Sequence, residues 1–125
     1  MSTRFELEDG LRRVLVTVLP RPQTRTVAQT ILKLTESRPE LGGWDWIIDI
    51  RQPHQQATSE ELERIAAAFN AARSKQSYTV FISEDPATQV RCDQIGLKFL
   101  DRCHLVARTP AEARALIPTA MQGVF

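Results

Sequence analysis

The chain has 125 residues, 42% hydrophobic and 25% charged, the balance of an ordinary globular domain and not of a disordered chain. That length buries roughly two-thirds of its unfolded surface, so a core can form without a disulfide or a metal. Sixteen basic against fifteen acidic residues leave a net charge of +1, without the basic excess expected of a nucleic-acid binder.

Hydrophobic periodicity switches repeatedly between about 2 and about 3.6, which predicts alternating strands and helices. Phe5 and Leu7 alternate with Glu6 and Glu8. Asp9-Gly10 then supplies a turn in which Gly10 is expected to hold positive φ. Arg12 to Leu19 carries Val14, Val16 and Val18 on one face and completes an opening β-hairpin. Pro20 and Pro22 close that strand and lead into a loop bearing Arg21 and Arg25. These two arginines could meet a phosphate at the following helix N-terminus, or could simply solvate the surface.

Val27, Ile31 and Leu34 fall at i, i+4 and i+7, predicting a helix that Pro39 and Gly42-Gly43 end. Trp44 to Ile50 reads as a strand apolar on both faces, hence covered on two sides. Trp44 and Trp46 share one face. Core packing accounts for both, and partial exposure of Trp44 as an anchor for a partner is the alternative. Thr58 followed by Glu61 is a capping box, and Leu62, Ile65, Ala66, Phe69 and Ala72 form the buried stripe behind it. Tyr78 to Ser83 is a strand, Ala87 to Ile95 a helix weakened at Gly96, and Cys103 to Ala107 the last strand. Thr109-Pro110 then caps a short helix over Ala111 to Ile117.

The predicted fold is therefore α/β: one domain over residues 1–125, with a mixed five-stranded sheet, an N-terminal β-hairpin followed by βαβαβα units, and about four helices. No apolar run approaches the ~20 residues of a membrane span. Acidic residues precede any apolar stretch at the N-terminus, unlike a secretory signal. Cys92 and Cys103 lie eleven positions apart, outside any metal or redox spacing. They read as two free, buried thiols in a cytoplasmic protein.

The arrangement resembles that of the SpoIIAA-like proteins of the STAS superfamily, which are grouped with lipid-transfer domains. Three features carry the likeness. They are the hairpin with Asp9-Gly10 at its turn, the buried strand ending in Asp49 and Arg51 before a loop and a capped helix, and the run from His104 to Ile117 in which a strand enters a short helix with Glu112-Ala113. The resemblance implies a regulatory module that docks a protein partner, a second copy of itself, or a small or lipidic ligand. It also implies a phosphoacceptor at the start of the helix after the buried strand. That position falls on Thr58 or Ser59, with Gln56 and Ala57 before it instead of the family's Asp, and Glu60 and Glu61 after it.

Read from the residues alone, the carboxyl ends of the parallel strands gather the candidate chemistry. Asp49, Arg51, His54 and Arg108 could bind a small anion, and the first three could serve a small enzyme by shuttling a proton. The plain alternative is that polar residues solvate strand ends. No nucleophile stands beside a base at a recognisable spacing, so the chain reads as a non-catalytic module. A receiver domain would place a lysine after the last strand, where Arg108 stands. His104 reads as a strand-face histidine, and His54, fifty residues away, makes no metal-ligand spacing with it. No Gly-rich phosphate loop follows the second strand. The sequence thus implies no cofactor, no metal and no nucleic-acid partner.

Overall fold

A computed structural model describes residues 3–20, 25–73 and 75–118. Its five strands stand side by side in chain order: β1 (Thr3–Glu8), β2 (Arg13–Val18), β3 (Asp45–Asp49), β4 (Ser77–Ile82) and β5 (Arg102–Ala107). β1 and β2 are antiparallel and every later pair is parallel, as the mixed sheet behind a hairpin requires. Four helices connect or follow the strands: α1 (Val27–Ser37), α2 (Ser59–Ala72), α3 (Ala87–Gly96) and α4 (Pro110–Leu116). Among the described residues, no helix is long and apolar enough to cross a membrane. Arg21 and Pro22 lie outside the described residues.

Alternation divides the sheet into two chemically distinct faces. Val14, Val16, Val18, Trp46 and Ile48 point to one face and pack under Val27, Ala28 and Ile31 of α1 and Ile65, Ala66 and Phe69 of α2. Ile47, Val80, Ile82 and Ala107 point to the other, where Ala113 of α4 and Ile117 cover them. β3 is therefore buried on both sides, as its apolar centre Trp46-Ile47-Ile48 predicts. α1 begins with a capping box in which Thr26 Oγ1 accepts from the Gln29 amide and Gln29 Oε1 accepts from the Thr26 amide. Thr58 and Glu61 make the same reciprocal pair at α2.

A 3-10 turn over Pro39–Gly43 delivers the chain to β3 and is pinned from below. The Trp46 indole donates to the Leu41 carbonyl at 2.8 Å. The Arg102 guanidinium donates to the carbonyls of Gly42, Trp44 and Tyr78 and to Thr79 Oγ1, and stacks 4.7 Å from the Phe69 ring centroid. Desolvation lowers the Arg102 pKa to about 10, yet leaves it charged at neutral pH. Gly42 and Gly43 lie directly on α2, and a Cβ on Gly43 would come 2.5 Å from the Ala72 carbonyl oxygen. Only glycine permits that approach.

Two expectations are corrected. Gly10 does not hold positive φ; Arg12 does, at φ 52°. Register explains this: Glu8 pairs with Arg13, leaving a four-residue connection whose left-handed position is its last residue. Cys92 is buried, but Cys103 is exposed, because it faces away from α1–α3 on an edge strand, at the end opposite Ala107 where α4 packs. Of the two readings of Trp44, core packing holds: it is 6% exposed and is not left open as an anchor for a partner.

Candidate functional site

The strand order never reverses, so the sheet has no crevice of the kind that switch points give to doubly wound folds. Space opens instead between the sheet and its helices. α3 turns small side chains to the sheet: its buried residues are Thr88 and Cys92, and Gly96 follows at the same spacing. The helix rests on β5 and makes few contacts with α2. An apolar cavity of about 110 Å³ results, at the carboxyl-terminal half of the sheet.

Ile48 and Phe81 form its floor, with Ile31, Ile65, Phe69 and Phe99 among its walls. The loop after β3 passes its mouth, contributing His54, Gln55, Gln56 and Ala57. Polar groups in the walls are largely spent on the protein itself. Thr79 Oγ1 accepts from Arg102, Thr88 Oγ1 shares a hydrogen bond with Ser83 Oγ at 2.8 Å, and Cys92 Sγ faces the Leu105 carbonyl.

His104 differs. Its ring borders the cavity 4.7 Å from the Phe99 centroid, and its Nδ1 is buried without a hydrogen-bond partner. Gly96 packs beside that nitrogen: a Cβ there would lie 3.5 Å away. Burial, reinforced by the nearby Arg102 charge, lowers the imidazole pKa from 6.5 to about 4. The ring is therefore neutral at physiological pH. Leaving a buried polar atom unpaired costs about 1–3 kcal/mol, so this position gives up stability that an apolar residue would keep.

Of the residues expected to share a site, Asp49 and Arg51 meet, whereas His54 and Arg108 lie elsewhere. Asp49 has the parity of Ile47 and lies on the α4 side of the sheet. Arg51 folds back on it, Nε to Oδ1 at 3.0 Å and Nη2 to Oδ2 at 2.6 Å, a bond that also raises the Arg51 pKa. His54 belongs to the cavity mouth, with Nδ1 3.1 Å from the Gln52 carbonyl oxygen. Arg108 borders a separate depression with Ser83, Asp85 and Glu112. Thr58 Oγ1 accepts from the Glu61 amide in its cap, and Ser59 is the exposed first residue of α2.

Sequence reasoning placed His104 on a strand face but did not connect it with a cavity. The available signal was parity. His104 is in register with Thr79, and Thr79 with Trp46, so all three point to the face under α1, α2 and α3. Comparison with protein-family models, curated proteins and solved structures finds no match for this chain.

Proposed function

We propose that this chain is a non-catalytic binding module whose ligand is a small apolar molecule held in the cavity beneath α1, α2 and α3. The observation that carries the reading is an apolar cavity at the carboxyl-terminal half of the sheet, walled by aromatic and aliphatic side chains, with a neutral imidazole on its border whose Nδ1 has no partner. Sites of this composition take apolar ligands and fix them with few polar contacts. A well-packed core would fill such a space. The Asp49–Arg51 bond supports the non-catalytic side of the reading, since each group uses its partner in place of a substrate. The hairpin, the capped α2 after a buried strand, and β5 running into α4 support a place among SpoIIAA-like modules.

A second reading, docking of a protein partner, is favoured by Val90, Leu97 and Leu100, which stand exposed on and just after α3. The first reading is tested by thermal denaturation with toluene. Binding to the folded state raises the midpoint by mass action. Ala57→Trp, on the loop at the mouth, is expected to block entry and abolish that rise. No rise in the unsubstituted protein refutes a binding cavity.

A further inference from the structure

Resting on the reading of this cavity as a ligand site, we propose that it selects a neutral single-ring aromatic carrying a hydroxyl group, and that the hydroxyl hydrogen-bonds to the His104 imidazole. Size limits the apolar part. A cavity of about 150 Å³ accommodates benzene, and 110 Å³ with an open mouth suits one ring and leaves a long acyl chain without room. Shape agrees, because Phe69, Phe81, Phe99 and the imidazole itself present ring faces and edges to the space.

The polar part follows from what each wall group already does. Thr79, Thr88 and Cys92 have protein partners, and the Arg102 guanidinium spends its donors on three carbonyls and a hydroxyl. Arg91, at the cavity's edge, is paired with Asp85 at 3.7 Å, so among the described wall residues each arginine already has a partner, and the imidazole is uncharged at neutral pH. An anion taken deep into this space would lose its hydration without replacement. A hydroxyl suits a neutral imidazole in either tautomer, because it both donates and accepts.

The test compares phenol with toluene, which differ by one hydroxyl in place of one methyl, by calorimetric titration of the full chain at pH 7.5. In a purely apolar cavity phenol binds more weakly, since its hydroxyl is buried unpaired. Here phenol is expected to bind at least as tightly as toluene. His104→Leu is expected to keep toluene and weaken phenol tenfold or more, and His104→Gln, which restores a donor and an acceptor, to recover phenol. A tenfold preference for toluene by the unsubstituted protein overturns the proposal while leaving the cavity reading intact. So does undiminished phenol binding by His104→Leu. Binding of neither compound overturns the cavity reading and this proposal together. Should His104→Leu fail to fold, the ratio in the unsubstituted protein decides alone.

Discussion

Replacing His104 by Phe should change how stability depends on pH. The folded state holds the imidazole at about 4 against 6.5 in water, so below pH 6.5 the unfolded chain binds a proton that the native chain refuses. Stability therefore falls with pH across the window from about 6.5 to about 4, and is fully present above it. Taken whole, the shift is worth about 2 kcal/mol between pH 8 and pH 5. Water reaching the half-buried ring trims this to about 1–2 kcal/mol. The assay is urea denaturation of both proteins at about pH 8 and about pH 5. Every other side chain is common to both proteins, so the difference between them isolates position 104. The unsubstituted protein should lose roughly 1 M more in urea midpoint than His104→Phe. At pH 8 the variant should also be the more stable, because it removes an unpaired polar atom. Equal losses on acidification would refute a buried, neutral imidazole.

Close approach of the Gly42-Gly43 segment to α2 predicts that Gly43→Ala costs about 1–3 kcal/mol in chemical denaturation, and that Gly42→Ala, whose Cβ meets the Ala68 oxygen at 3.0 Å instead of 2.5 Å, costs less. A reversed order contradicts the packing. At the hairpin, Arg12→Val should destabilise by about 1–2 kcal/mol because position 12 is left-handed, while Gly10→Ala, with open space around it, should shift the midpoint by less than about 1 kcal/mol. With a thiol reagent under native conditions, Cys103 should label quickly. Cys92, whose thiol burial pushes up to about 11, should label only on unfolding. Mass spectrometry of the labelled peptides distinguishes the two.

Element type and order were legible in the sequence because period and punctuation agreed. Three valines at every second residue marked β2, and Thr58 with Glu61 marked the start of α2. A second capping box, Thr26 with Gln29, follows the proline-rich loop and marks the start of α1 in the same way. Position 10 misled because Asp-Gly suits a two-residue turn, whereas the loop length that moves the left-handed residue to Arg12 depends on register, a tertiary property. The site was harder. Proximity in sequence is a poor guide here: parity puts Asp49 on the α4 side of the sheet, while the loop after β3 carries His54 to the cavity mouth on the other side. A cavity is a deficit of packing between elements distant in sequence. Its only local trace was the small series Thr88, Cys92 and Gly96 on α3.

On the proposed reading the face of the sheet under α1, α2 and α3 takes the ligand, and the face under α4, whose depression beside Pro110 and Arg114 is smaller, does not. Methyl-labelled isoleucine NMR during titration with toluene tests it directly, because isoleucines report on both faces. Ile31, Ile48, Ile65 and Ile95 border the cavity, whereas Ile47, Ile82 and Ile117 pack in the other cluster. The first set should shift in a saturable way while the second stays fixed. Shifts of similar size in both sets, or none in the first at saturating toluene, would contradict it.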